Sequence, residues 1–365
     1  MRENAYPRVE IDLKKLRNNI EQIVKRAAAR GIEIAGVIKG MNGIPACAKE
    51  FSDAGCAHIA TSRLEQLQGV VDYGIKSPRM LIRVPMLSEI SEVIRLADIS
   101  LHSEMEALTA LNAEAKKQGK THEVILMLDL GDLREGFWDQ EELLKAALAV
   151  ENEMPNLTLA GVGTNLGCYG SVSATAEKLE ELIAAAEKVE AEIGRKLRYI
   201  SGGATTSLPR IIEGDMPERI NHLRVGEGII LAKDLQDLWG YDMSYMHKDA
   251  FTLKAEVIEV KDKPSHPVGE IMFDAFGHRQ VYEDRGVRRR ALLGIGKVDY
   301  AFPDMIYPRD AGVEVLGASS DHTILDIQDA KRDIKVGDIL EFDLCYATIV
   351  YVTNCPNVKI FIQEG

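Results

Sequence analysis

The sequence predicts an α/β protein in two parts: an N-terminal (β/α)8 barrel and a C-terminal, mostly antiparallel β domain. Three observations carry this. Short runs that are apolar without alternation recur through the first ~230 residues, as parallel strands buried on both faces require. Amphipathic stretches separate them, giving units of ~30 residues. From about Phe251 the pattern turns strand-like, punctuated by Gly, Pro and Asp. A length of 365 residues suits two domains at roughly 150 residues each. The boundary is expected between Leu231 and Phe251, giving a barrel over 1–240 and a β domain over 241–365. A doubly wound open sheet is the alternative for the first part.

In chain order the expected barrel strands are 32–38, 57–61, 80–84, 99–102, 123–128, 159–163, 198–201 and 220–225. Helical periodicity falls between them at 13–30, 45–53, 63–73, 87–96, 103–118, 140–153 and 174–193. Ser103 with Glu106 has the spacing of a capping box. Gly31, Gly74, Gly119 and Gly194 each follow a helix, where a left-handed turn favours glycine. Beyond the boundary, strands are expected around FTLKAEVIEVK, GEIMFDA, RRALLGI, VEVLGA, HTILDI, ILEFDL, ATIVYVT and VKIFIQE.

Composition narrows the function. A formal charge of −13 disfavours a phosphate-backbone partner, so nucleic acid is not expected. No apolar run approaches the ~18 residues of a membrane span, and no secretory h-region stands at the N-terminus. Five scattered cysteines without a CxxC pair give neither a disulfide framework nor a zinc site, so a reducing cytoplasm is the expected compartment. The eight histidines lack paired ligand spacing, and no metal is expected. Asn156-Leu157-Thr158 matches a glycosylation pattern by chance. Gly161–Gly167 has the wrong spacing for a dinucleotide loop.

A barrel's active site lies at the C-terminal strand ends. Polar residues expected there are Lys39, Ser62, Arg63, Glu65, Arg83, His102, Asp129, Arg134, Thr164, Asn165 and the turns after the last two strands. Lys39 closes an apolar strand, where desolvation would lower its pKa and free the amine as a nucleophile. A lysine that only reaches solvent or pairs with a carboxylate is the alternative. Ser201 to Ser207 and Gly226 to Gly228 offer N–H groups and hydroxyls for a phosphate, or are ordinary turns. A reactive lysine and a phosphate cradle on one barrel mouth together suggest pyridoxal phosphate. Asp129 and Arg134 read as a rim ion pair, and Arg288–Arg290 as a solvated charge run.

Val37-Ile38-Lys39-Gly40-Met41-Asn42-Gly43 resembles the lysine loop of alanine racemases, which are fold type III pyridoxal-phosphate enzymes. The resemblance runs from Arg8 to Ile362 and takes in Leu128-Asp129 with Arg134, Gly163-Thr164-Asn165, Ser201 to Thr205, Arg224-Val225-Gly226, Ile295 to Asp299, Ser319-Ser320-Asp321 and Thr348 to Tyr351. Residues 163–170, 316–322 and 342–347 are most similar to the ornithine racemase branch.

That resemblance implies an isomerase that interconverts L- and D-ornithine, or lysine, by two-base proton transfer at Cα. Alanine or serine racemase is an alternative, as is a same-fold lyase of the D-threonine aldolase or D-serine dehydratase type. It further implies that Lys39 carries the cofactor covalently and that Arg224 faces the ring nitrogen. Thr205, with the backbone of Gly203, Ala204, Gly226 and Glu227, would hold the phosphate, helped by Tyr351. Asn165 stands where relatives stack a histidine on the ring. Arg134 would support the substrate carboxylate or the second base. Asp321 would line the substrate entrance of the neighbouring subunit in a head-to-tail homodimer. Two departures stand out. Lys297 replaces the tyrosine that is the second base, and Gly43 replaces a tyrosine near the phosphate. Lys297 is therefore expected as the second catalytic base, with Tyr300 behind it, and Glu227, Asp299 and Asp321 are open as partners for a cationic side chain.

Overall fold

Eight parallel strands close a barrel in sequence order: Glu33–Val37, His58–Thr61, Arg79–Leu81, Ile99–His102, His122–Met127, Leu157–Gly163, Tyr199–Ser201 and His222–Val225. The structure is a computed structural model and describes residues 5–279 and 281–363. The strands match the eight apolar runs, and closure excludes the open sheet. Inward side chains such as Ala35, Val37, Ala60, Met80, Ile99, Leu101, Ile125 and Met127 pack into a buried interior. At Gly161 a Cβ would stand 2.1 Å from the Tyr199 carbonyl oxygen, so the sixth and seventh strands approach too closely for any side chain there.

Helices follow the strands as expected, with Pro45–Asp53 and Gln140–Glu153 at the anticipated bounds. Gly31, Gly74, Gly119 and Gly194 all have positive φ. The helix after the fourth strand departs from expectation. It spans Met105–Lys117 with Glu104 as N-cap and no side-chain cap, so Ser103 and Glu106 form no capping box. Short helices at Leu208–Glu213, Glu227–Ile230 and Asp234–Asp237 were not expected. Each is too brief to show a periodicity.

The barrel unit runs from Leu16 to His247, and a second unit joins the chain up to Lys15 with Lys248 onward. The division therefore differs from the expected 1–240 and 241–365. Arg8–Asp12 is a strand of the second unit, antiparallel to Phe251–Pro264 and parallel to Lys359–Gln363. Val9 and Ile11 are fully buried there. Their pairing partners lie far along the chain, so no local pattern announces the strand. The rest of the sheet runs Ile306–Pro308, Ile339–Leu344, Phe251–Pro264, Val287–Leu293, Thr323–Asp326 and Glu314–Ala318, all antiparallel. Two expected strands are absent. ATIVYVT forms the helix Tyr346–Val352, burying Thr348, Ile349 and Val352 on one face, so packing overrides β-branched propensity. GEIMFDA lies in the connection between Pro264 and Val287 and joins no ladder.

Candidate active site

The first and eighth barrel strands pair, with Gly36 opposite Val225, so the turns that follow them are neighbours at the C-terminal end. Lys39 opens the 3-10 turn Lys39–Met41 there. It is half-buried, and among the described residues no carboxylate pairs with it. Burial, with Arg134 second, lowers its pKa; Cys168 and Glu135 oppose this. Of the two sequence readings of Lys39, the available amine is the one this geometry supports.

Arg224 is almost wholly buried on the eighth strand. Its Nη2 donates to the Thr164 carbonyl at 2.6 Å and its Nη1 donates to Ser201 Oγ. Having accepted from Arg224, the Ser201 hydroxyl is free to donate to His222 Nδ1 at 2.8 Å. Desolvation lowers the guanidinium to about 10, still charged at neutral pH. Asn165 follows the sixth strand, and its Nδ2 is buried with no partner within the protein.

The turns after the last two strands meet one another. The Gly228 N–H donates to Thr205 Oγ1 at 3.0 Å, and the Arg224 N–H donates to the Gly203 carbonyl at 2.9 Å. Thr205–Ser207 and Glu227–Ile230 both begin helical turns here, and first-turn N–H groups have no intrahelical acceptor. Gly203 has φ +113° with a would-be Cβ 2.6 Å from Ser207 Oγ. A Cβ at Gly228 would lie 2.9 Å from Leu208 Cδ1 and 3.0 Å from Thr205 Cγ2, so the two turns pack too closely for a side chain there. Glu227 Oε1 accepts from the N–H groups of Lys233 and Asp234, while its Oε2 is buried with no partner within the protein. Burial pushes that carboxyl up to about 7. Near the lysine turn, a Cβ at Gly43 would lie 2.6 Å from Gln66 Cβ. Gln66 instead donates to Asn42 Oδ1 at 3.1 Å and accepts from Thr61. The space a side chain at 43 would need is thus taken by Gln66.

Other mouth residues serve the scaffold. Arg83 pairs with Glu89 at 2.7 Å, and His102 is buried on the strand face opposite Ile99 and Leu101, bonded to Ser100. Asp129 accepts from the N–H groups of Gly131 and Leu133. It is not the partner of Arg134, which binds the adjacent Glu135 with Nε and Nη2. The expected rim pair is therefore replaced by a neighbour-to-neighbour one, which a backbone-capped Asp129 leaves room for. Arg134 Nη1 donates to Cys168 Sγ at 2.8 Å.

Sequence reading missed Asp132. Only 1% exposed, it accepts from the N–H groups of Gly167, Cys168, Tyr169 and Val172, fastening the loop after the sixth strand to the loop after the fifth. Burial alone would raise its pKa, but these donors hold it below the ordinary value. Asp132→Ala should cost about 2–3 kcal/mol by orphaning buried donors, and should open residues 129–137 to trypsin. Unchanged urea midpoint and cleavage rate would contradict this.

The remaining expected residues lie in the second unit. Lys297 opens the turn Lys297–Tyr300, and its N–H donates to the Ser319 carbonyl while that of Val298 donates to Ser320. This brings Lys297 beside the exposed Asp321, whose carboxylate accepts from Ser320 Oγ at 2.7 Å. Lys297 Nζ sits 4.0 Å over the Phe276 ring. Tyr351 is half-exposed on the helix Tyr346–Val352, edge-on to Phe302. Tyr300 fails as the alternative base. It is fully buried, bonded to Thr323 Oγ1 at 2.5 Å, and pushed by burial up to about 12. Asp299 is also committed, accepting from the Gly296 N–H and from Cys355. Among the described residues no helix is long and apolar enough to cross a membrane.

Comparisons with known proteins agree with this architecture. The sequence profile described as "Alanine racemase, N-terminal domain" matches residues 11–234. Ornithine racemase of Acetoanaerobium sticklandii is 40% identical over 345 residues, covering 94% of this chain and 96% of that protein. Lysine racemase of Thermotoga maritima is 37% identical over 355 residues, covering 97% and 98%. Alanine racemase from Streptomyces lavendulae shares the fold with a TM-score of 0.77 at 20% identity, covering 99% of this chain and 98% of that one. D-threonine aldolase from Filomicrobium marinum shares it with a TM-score of 0.73 at 15% identity, covering 96% and 89%. On the profile match and the two near-full-length relatives, the chain belongs to the alanine racemase family.

Proposed function

We propose that the chain is a pyridoxal-phosphate-dependent racemase of diamino acids, interconverting the antipodes of ornithine or lysine. The carrying observation is Lys39: an amine of lowered pKa without a carboxylate partner, next to Arg224 and the Gly203–Thr205 and Gly226–Gly228 turns. The amino-acid racemase activity rests on the two near-full-length relatives, and the diamino substrate on what those relatives are named for. The lyase alternative is not favoured: among the described residues no cluster of His, Cys, Asp or Glu could hold a metal.

The residues fit the cofactor. The unpartnered Asn165 Nδ2 suits a ring edge or its hydroxyl, and the first-turn N–H groups at Glu227 suit a phosphate. Thr205 and the N–H groups of Gly203, Ala204, Gly226 and Glu227 would hold that phosphate, with Tyr351 in support. When bound, the cofactor supplies an electron sink for charge at the substrate Cα. Arg224 presents N–H donors only, and its Ser201–His222 chain fixes their direction. Facing a ring nitrogen, it would leave that nitrogen unprotonated and moderate the sink. Lys39 Nζ, its pKa lowered by burial, takes a proton at one face. Lys297 Nζ returns one at the other, and the roles reverse for the antipode. Arg134 receives the substrate carboxylate, and Asp321 lines the entrance.

Lys297, Asp321 and Tyr351 all belong to the second unit, which supports a homodimer in which that unit of one copy completes the barrel mouth of the other. Five free thiols suit a reducing cytoplasm. Turnover of L-ornithine, L-lysine, L-serine and L-alanine decides the substrate. The expected kcat/KM for ornithine or lysine exceeds that for alanine by at least about 100-fold, the discrimination a site built around a polar group gives. A preference for alanine overturns the diamino reading.

A further inference from the structure

The loop after the fifth barrel strand closes on itself: the Asp129 N–H donates to the Phe137 carbonyl at 3.0 Å and the Phe137 N–H donates to Met127 at 2.8 Å. Arg134 and Glu135 lie within that closed loop, at the C-terminal end of the barrel. Both nitrogens of one edge of the Arg134 fork donate to the Glu135 carboxylate, Nη2 at 2.6 Å. The Glu135 side chain is 19% exposed. Its charge reaches Lys39 and Arg224, favouring the protonated form of each.

Near the mouth, Asp129 accepts from two backbone N–H groups and Asp132 from four, Glu89 pairs with Arg83, and Glu227 accepts two N–H groups at Oε1 while its buried Oε2 has no partner within the protein. Glu135 alone among these is held by a side chain that has other work, since Arg134 is the cation available for a substrate carboxylate. An amino acid with a neutral side chain would draw Arg134 away and leave Glu135 part-buried and unpaired, which is unfavourable. A diamino acid brings both signs of charge.

We propose that Glu135 is the specificity residue for a cationic side chain: the substrate carboxylate takes Arg134, the distal ammonium takes Glu135, and one internal ion pair is exchanged for two. This rests on the diamino-acid reading above. A role confined to orienting Arg134 would affect every amino acid alike, whereas recognition separates them.

The test is calorimetric titration of the cofactor-loaded protein with L-ornithine and with L-norvaline, which lacks only the distal amine. The wild type should bind ornithine at least tenfold more tightly. Glu135→Gln should remove that preference, weakening ornithine at least tenfold and strengthening norvaline; Asp321→Asn should retain it. A Glu135→Gln protein that keeps the preference, or weakens both ligands equally, overturns the proposal, as does loss of the preference in Asp321→Asn. If Glu135→Gln does not fold, Glu135→Asp is read instead, where weakening confined to ornithine supports the proposal and uniform weakening overturns it. Racemisation is assayed in parallel. Glu135-dependent binding without D-ornithine formation removes the racemase reading only, and D-ornithine formation with a Glu135-independent preference removes this inference only.

Discussion

Lys39→Ala is expected to abolish racemisation, lowering kcat/KM by at least about 1,000-fold, and to end covalent retention of the cofactor after borohydride reduction. The substitution takes away the one amine at the barrel mouth that burial holds available, and with it both a point of attachment and a proton acceptor. Lys39→Arg should fail equally, because a guanidinium stays charged and is not a nucleophile. Added methylamine should restore part of the proton transfer to Lys39→Ala but none of the attachment. Lys297→Ala should behave differently. Deuterium from solvent should still enter one antipode of the substrate and no longer enter the other, since each amine serves one face. Exchange into both antipodes at wild-type rates would remove Lys297 from the chemistry, and a reduced adduct mapping away from position 39 would remove Lys39.

Acid should unfold the protein unusually early. His58, His102 and His122 are buried in the barrel, and burial lowers them to about 4, 3 and 4; His222 is lowered further still. Their hydrogen bonds require the neutral rings. The His122 Nδ1–H donates to the Ala97 carbonyl, so its bare Nε2 accepts the Ser100 hydroxyl at 2.7 Å. The Ser100 oxygen in turn accepts the His102 Nε2–H at 2.8 Å. In the unfolded chain all of these rings titrate near 6.5. Between pH 6.5 and the lowered folded values, the unfolded state therefore holds more protons, and stability falls as pH falls. Four such groups, opposed by the one Glu227 carboxyl that burial raises to about 7, give a net slope on the order of 4 kcal/mol per pH unit, against a typical total stability of 5–15 kcal/mol. The urea midpoint should drop steeply between pH 6.5 and 4.5. Carboxylates held low, such as Asp132, act only below that window. Equal midpoints at pH 7 and pH 5 would show that these rings are already protonated in the fold.

The barrel was legible because strands buried on both faces leave unbroken apolar runs, and because glycine must close the helices ending at Ala28, Asp72 and Lys117. Lys39 was legible for a related reason: a charge at the end of an apolar strand is out of place unless it has a task. What escaped is non-local. Asp132 carries no motif, since its partners are backbone groups more than thirty residues on. Glu135 was hidden beside the expected Asp129–Arg134 pair, because sequence shows which charges are near but not which one a guanidinium fork faces. The helix Tyr346–Val352 reads as a strand until its packing is known.

The strand Arg8–Asp12 bears on how the molecule is made. It is synthesised before the barrel, yet its ladder partners, Phe251 to Lys254 and Lys359 to Gln363, come after it. A nascent chain can complete the barrel while those β-pairing edges still wait for the later segments. With Arg8 opposite Lys359, one ladder clamps together segments from far apart in the chain, so a cut anywhere between them would leave the two pieces held by backbone hydrogen bonds.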